Sequence, residues 1–80
     1  MFQMTVEDAI KVHDNLISVS GPCVNKKEFS CGNLSDENGH IYEAHIPFDK
    51  TLIFDESRVI LGIYGGVDAE TLLGRTLFSS

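Results

Sequence analysis

The densest run of apolar and β-branched residues in the chain is TLIFDESRVILGIYGG, residues 51–66. A polar break at residues 55–57 divides this run into two apolar segments. With Glu56-Ser57 at the turn, both faces of the paired segments are apolar, which is typical of strands that are covered on both sides. The pattern predicts a buried β-hairpin at the centre of a small sheet, with the rest of the chain packed around it.

The N-terminal region shows a helical spacing of apolar residues. Thr5 is a suitable N-cap, and Gly21-Pro22 is a typical stop signal because proline cannot continue a helix. The pattern therefore predicts an amphipathic helix over residues 5–19. One face of this helix would carry the residues at helical spacing, namely Val6, Ala9, Ile10, His13, Leu16 and Ile17.

Two strand-like segments follow, over residues 28–35 and 40–48, and the polar stretch 36–39 joins them. Asn38-Gly39 is a strong hairpin signal because both residues accept positive φ. A two-residue turn at this position would place Glu37 opposite His40 and fix the register of the hairpin.

That register separates the hairpin side chains into an apolar face and a polar face. It pairs Ser35 with Tyr42, Asn33 with Ala44 and Cys31 with Ile46. The apolar face, predicted to point into the core, would carry Phe29, Cys31, Tyr42, Ala44, Ile46 and Phe48. The opposite face would carry Ser30, Leu34, Glu43, His45 and Pro47.

The chain ends in a second helical pattern, in which Asp68 can act as the N-cap. Gly74 weakens this helix by about 1 kcal/mol relative to alanine, so the helix should be short. The predicted element order is α-β-β-β-β-α. This is an α+β fold with a small antiparallel sheet of about four strands, formed by a single domain over residues 1–80.

Charge narrows the classes of partner. Twelve acidic and six basic residues give a net charge of -6. This balance argues against nucleic-acid binding, which requires clustered Lys and Arg, and against attraction to anionic membranes. A larger protein with a basic surface is compatible with it. A homodimer is compatible with the short chain, because an 80-residue domain buries a modest core.

The N-terminal segment has no basic region and no apolar core of the kind that signal peptides carry. The longest apolar run, Val59–Tyr64, is far shorter than the roughly 20 residues that a membrane span needs. We therefore expect a cytoplasmic protein with reduced cysteines.

Cys23, Cys31, His40 and His45 are the residues that would bind a metal ion if a site existed. They contain no C-x-x-C pair, and the two histidines would point to opposite faces of one strand. In the predicted register Cys31 is buried and His45 lies on the other face, so the pair would not form a nucleophile and its base. The sequence predicts no metal site, no catalytic residues and no cofactor.

These observations favour a non-catalytic protein-binding module that inhibits a larger protein by stoichiometric occlusion. Immunity proteins, antitoxins and phage-encoded inhibitors share this profile of size and charge. The alternatives are a homo-oligomeric enzyme or ligand-binding subunit with a site between subunits, and a structural subunit of a larger assembly. The residues predicted to contact the partner lie on the polar hairpin face and at its tip: Leu34, Asp36, Glu37, Glu43 and His45.

Overall fold

The computed structural model describes residues 1–29, 31–46, 57–65 and 68–79. Within these residues the chain forms seven strands, one short helix and a 3-10 turn at Lys26–Glu28. The strands are β1 Gln3–Thr5, β2 Asp8–His13, β3 Leu16–Val24, β4 Cys31–Ser35, β5 Ile41–His45, β6 Arg58–Tyr64 and β7 Thr76–Phe78, and the helix α1 is Ala69–Leu72.

The strands form one antiparallel sheet in the order β1-β7-β4-β5-β6-β3-β2. Strand β1 also pairs with β3, where Met4 lies opposite Cys23, so six strands close into a barrel. Strand β2 pairs with β3 as a seventh strand outside this ring. Closure matters for function because each barrel strand then has one face in the core and one face outside.

The predicted α+β fold with an N-terminal helix is wrong, because residues 5–19 contribute to β1, β2 and β3. Strand β3 has the period of two that strands require, with Ile17 and Val19 buried and Ser18 half-buried between them. The helix-like spacing arises because β2 and β3 are joined by a tight turn. Ile10 and His13, expected on a buried helical face, are exposed.

Gly21-Pro22 also has a different role from the predicted helix stop. Both residues lie within β3, where Gly21 pairs with Val59 and Pro22 with Arg58. A Cβ at Gly21 would overlap the carbonyl oxygen of Thr5. Glycine therefore lets the β1–β2 connection pass directly against β3.

The hairpin of β4 and β5 is confirmed, but its predicted register is wrong by one residue. Ser35 lies opposite Ile41 and Leu34 opposite Tyr42. The loop has three residues instead of two, because the N–H of Asp36 donates to the carbonyl of His40 at 2.9 Å. Gly39 has a φ of 84° and donates its N–H to the carbonyl of Asp36.

One extra loop residue turns every β4 side chain to the opposite face. Leu34, predicted on the polar face, is fully buried, and Cys31, predicted in the core, is exposed. The predicted orientation of the β5 side chains is confirmed, because Tyr42 and Ala44 are buried and Glu43 is exposed. Ser30, Pro47 and Phe48 lie outside the described residues.

The second half of the predicted central hairpin is strand β6. Its predicted partner, residues 51–54, and part of the turn lie outside the described residues. The described neighbours of β6 are β3 and β5. The predicted C-terminal helix has four residues, Ala69–Leu72, and the chain continues into β7, which contains Leu77.

The described core is a single cluster inside the barrel, and alternate residues of the strands supply it. Leu72 of α1 is fully buried in the same cluster. Its members are Phe2, Met4, Val6, Ile17, Val19, Cys23, Phe29, Leu34, Tyr42, Ala44, Val59, Leu61, Ile63, Leu72 and Leu77. The outward residues of the same strands are therefore not required for this core.

Candidate functional site

Four neighbouring strands, β5, β6, β3 and β2, present a continuous surface on the outside of the sheet. Their registers align outward residues in two rows across the strands. We call this surface the outer face. Its rows are Glu43–Tyr64–Leu16–His13 and His45–Gly62–Ser18–Ile10.

The centre of the outer face is formed by two small residues, because Gly62 has no side chain and Ser18 has a short one. A Cβ at Gly62 would lie 2.7 Å from Cε1 and 3.1 Å from Nδ1 of His45. It would also lie 3.2 Å from Cδ1 of Leu16. The imidazole and the leucine side chain thus occupy the space directly above the Gly62 backbone.

His45, which covers Gly62, forms an aromatic pair with Tyr64. The rings of His45 and Tyr64 are stacked, with centroids 5.1 Å apart and an interplanar angle of 20°. Tyr64 is nevertheless 39% exposed, and Ile10 on the next row is 60% exposed. An exposed aromatic ring held by a neighbour is a rigid apolar contact with little conformational entropy left to lose.

The Nδ1 atom of His45 is buried and has no hydrogen-bond partner among the described residues. A buried polar atom without a partner is uncommon in folded proteins, because it loses the hydrogen bond that it makes with water. Among the described residues, His45 is therefore held by its stack on Tyr64 and not by a hydrogen bond at Nδ1.

Glu43 lies directly opposite Tyr64 and is exposed. It makes no hydrogen bond or ion pair with another described residue. Glu7 and Glu37 differ, because they pair with Arg58 at 2.6 Å and with Arg75 at 2.9 Å. The outer face therefore carries a carboxylate that is not neutralised within the described part of the chain.

The residues predicted to contact a partner separate into three groups. Glu43 and His45 lie together on the outer face. Leu34 and Asp36 are 0% and 1% exposed, so neither belongs to an accessible surface. Glu37 is exposed, but its carboxylate connects the hairpin tip to β7, accepting from Arg75 at 2.9 Å and from the N–H of Thr76 at 2.8 Å. Whether any of the five residues contacts a partner stays a prediction.

Asp36 is the acceptor that holds the three-residue loop. Its Oδ1 accepts from the N–H groups of Asn38 and His40, at 2.9 and 3.0 Å. Its Oδ2 accepts from the Tyr42 hydroxyl at 2.8 Å and lies 3.4 Å from Nδ1 of His40. A buried carboxylate with this many donors is a structural element of the hairpin.

The pKa values of this cluster follow from its hydrogen bonds. Burial acts to raise the pKa of Asp36, but the hydrogen bonds from Tyr42, His40 and Asn38 outweigh it and leave the pKa below its ordinary value. Burial and the bond to Asp36 raise the pKa of Tyr42 to about 12. At Glu37 the N–H of Thr76 and the Arg75 guanidinium lower the pKa. The carboxylates are therefore held ionised and the phenol neutral.

Sequence reasoning missed Tyr64, Leu16 and Ile10 as members of a surface. Tyr64 ends a strand that is apolar on both faces, so hydropathy alone does not show which side is outside. A usable signal was present in β3, where Ile17-Ser18-Val19-Ser20 alternates with a period of two. It identifies the outward row that includes Leu16.

Cys31 lies opposite His45 in the observed register, which differs from its predicted pairing with Ile46. The imidazole stacks on Tyr64 of the next strand along the sheet, away from β4. Within residues 1–29, 31–46, 57–65 and 68–79, no group of three or more His, Cys, Asp or Glu side chains is arranged to hold a metal ion.

Gly62→Ala tests the packing of the outer face without changing a polar group. The new methyl group overlaps the imidazole, so we expect His45 to rotate away and the stack on Tyr64 to be lost. Because the end of a side chain yields easily, the free energy of unfolding should change by roughly 1 kcal/mol or less. Ring-to-ring nuclear Overhauser effects between His45 and Tyr64 measure the stack. Ser18→Ala, in the same row, should leave them intact, and their persistence in Gly62→Ala would contradict this packing.

Among the described residues, no helix has the length and apolar character needed to cross a bilayer. Comparison with known proteins yields no match: no family model fits the chain, and no curated protein or solved structure shows significant similarity to it.

Proposed function

We propose that this chain is a non-catalytic protein-binding module that inhibits a larger protein by stoichiometric occlusion, with the outer face as its contact surface. The observation that supports this most is the exposed Tyr64 ring, which is stacked on His45. Tyrosine is enriched among the residues that dominate binding energy in protein interfaces. Since these side chains are not members of the described core, they are available for contact with a partner.

The composition of the outer face resembles that of a protein interface. Its apolar residues, Tyr64, Leu16 and Ile10, lie across three strands, and Glu43 lies at the edge. Interfaces commonly have an apolar centre with aromatic anchors and a polar rim. From the set predicted by sequence, Glu43 and His45 are kept in the proposed contact, whereas Leu34 and Asp36 are removed because they are buried.

Charge supports the choice of partner. The net charge of -6 would speed approach to a basic surface, while the apolar anchors would supply the affinity. We propose a cytoplasmic setting and a partner of the kind that immunity proteins, antitoxins or phage-encoded inhibitors block. Self-association as a homodimer stays a prediction.

Tyr64→Ala should abolish capture of the partner. Loss of an aromatic anchor costs about 2 kcal/mol or more, which corresponds to at least about a thirtyfold weaker Kd. The tagged protein and its variants would be used to isolate a complex from lysate, with stoichiometry measured by native mass spectrometry and Kd by calorimetry. Val24→Ala is the control, because Val24 is 55% exposed at the far end of β3.

The expected result is a 1:1 complex with the unmodified chain and with Val24→Ala, and its loss with Tyr64→Ala. Inhibition of the captured protein should rise with occupancy and stop at one equivalent. If the two variants bind equally, or if the captured protein stays fully active when saturated, the proposed function is wrong.

A further inference from the structure

We infer that the corner formed by Glu43 and Tyr64 receives an arginine side chain of the partner. This inference rests on the proposed function and specifies its chemistry. The two residues are register partners on β5 and β6. Directly opposite residues have Cβ atoms about 4.5–5.5 Å apart, so the side chains of Glu43 and Tyr64 leave the sheet from neighbouring positions at this corner.

Within the described part of the chain, no cation is paired with Glu43 at this corner. Both arginines of the chain are engaged elsewhere, Arg58 with Glu7 at 2.6 Å and Arg75 with Glu37 at 2.9 Å. Lys11 lies 3.7 Å from Asp14. Within the described ranges, Glu43 is left without a cation, next to a tyrosine that is 39% exposed.

A guanidinium group matches both components of the corner. It is planar, donates two parallel hydrogen bonds to one carboxylate, and stacks on aromatic faces. Its attraction to the tyrosine ring adds to the ion pair. The stack of His45 on Tyr64 holds the ring in place, so the corner is formed before the partner arrives.

Other ligand classes fit less well. A phosphate group would be repelled by Glu43, and a lone carboxylate does not provide the several oxygen ligands that a hard cation needs. A lysine ammonium would pair with the carboxylate as a point charge, without the planar stacking on Tyr64. Arginine is therefore the side chain that uses both groups.

The test is a titration of isotope-labelled protein, at low ionic strength, with two blocked tripeptides, acetyl-Gly-Arg-Gly-amide and acetyl-Gly-Lys-Gly-amide. We expect saturable changes in NMR chemical shift at Glu43, His45 and Tyr64. The Kd of the arginine peptide should be at least about threefold lower than that of the lysine peptide. Glu43→Gln should raise the Kd of the arginine peptide at least about threefold. Glu70→Gln, an exposed glutamate of α1, is the matched control and should change nothing.

Equal shifts at Glu70 and Glu43 would overturn the inference, because they would show attraction to net charge only. Equal affinity for the two peptides, or no effect of Glu43→Gln, would also overturn it. The titration needs no partner, so its failure is separate from failure of the proposed function. If a 1:1 inhibited complex depends on Tyr64 but the peptide titration shows no binding at Glu43, the proposed interface would stand. The proposed arginine contact would then be wrong.

Discussion

Gly21→Ala is expected to destabilise the barrel severely. A Cβ at this position would overlap the carbonyl oxygen of Thr5 and approach within 3.1 Å of the Glu7 nitrogen. Both are backbone atoms, which cannot rotate aside as a side chain can. Forced overpacking of this kind costs about 3 kcal/mol or more, a large share of the stability of a domain this small.

The position of Gly21 explains why the backbone cannot easily move to remove this overlap. Residues 16–20 of β3 pair with β2, and residues 23–24 pair with β1. Gly21 lies between these two pairings, where the chain crosses from one partner strand to the other. Moving Thr5 away would separate β1 from β3, and this is the pairing that closes the barrel.

Thermal unfolding followed by circular dichroism measures this effect. For a domain of this size, 3 kcal/mol corresponds to a fall in Tm of at least about 12 °C. Gly62→Ala is the control, since its methyl group meets the movable ends of side chains. A Gly21→Ala protein that melts within about 3 °C of the unmodified chain would show that β1 and β3 do not meet as described.

Asp36→Ala is expected to have the second large effect, because it removes the acceptor that organises the hairpin loop. Two backbone N–H groups and the Tyr42 hydroxyl would lose their partner together. Tyr42→Phe removes a single bond to a charged group and should cost about 2 kcal/mol. The alanine variant should therefore be the less stable of the two in urea unfolding. The reverse order would contradict the central role of the carboxylate.

The same cluster predicts a pH dependence with two limbs. The lowered pKa of Asp36 means that its contribution is present above the ordinary value of 3.8 and is lost as the pH falls through the folded value. The raised pKa of Tyr42 means that its contribution is complete below 10.0 and is lost as the pH rises towards about 12. Stability should therefore fall at both extremes.

Urea unfolding between pH 2 and 6, and between pH 9 and 12, resolves the two limbs. Tyr42→Phe should flatten the alkaline limb, since it removes the phenol. Asp36→Ala should reduce the slope of the acid limb but not abolish it, because Glu37 also has a lowered pKa. Acid limbs of equal slope in the unmodified chain and in Asp36→Ala would contradict this assignment.

The hairpin of β4 and β5 and the strand β6 could be predicted from sequence, but the strands over residues 5–19 were predicted as a helix and the closure of the barrel could not be predicted. Asn38-Gly39 correctly indicated a hairpin, and the apolar run from Val59 correctly indicated a strand. Closure depends on β1, which pairs with β3 and with β7, and Leu77 lies far along the chain from Met4. Hydropathy carries no information about such distant pairing.

The register error has a more specific cause. Choosing between a loop of two residues and one of three required the hydrogen bonds of the Asp36 side chain. Those bonds compete with the Asn-Gly preference, and they determine which face of β4 is buried. Glu43 and His45 were correctly predicted to point out of the core, because the orientation of the β5 side chains does not depend on the length of the loop.

Alkylation of the two cysteines in the folded protein tests this orientation of the hairpin most directly, and with it the surface on which the function is proposed. Cys31 is exposed and Cys23 is 9% exposed. Under reducing conditions, iodoacetamide labelling followed by mass spectrometry should show Cys31 modified at close to the rate of the unfolded chain. Cys23 should be protected until urea unfolds the protein. Equal protection of both thiols would place Cys31 inside, as the two-residue turn requires, and would contradict the described barrel.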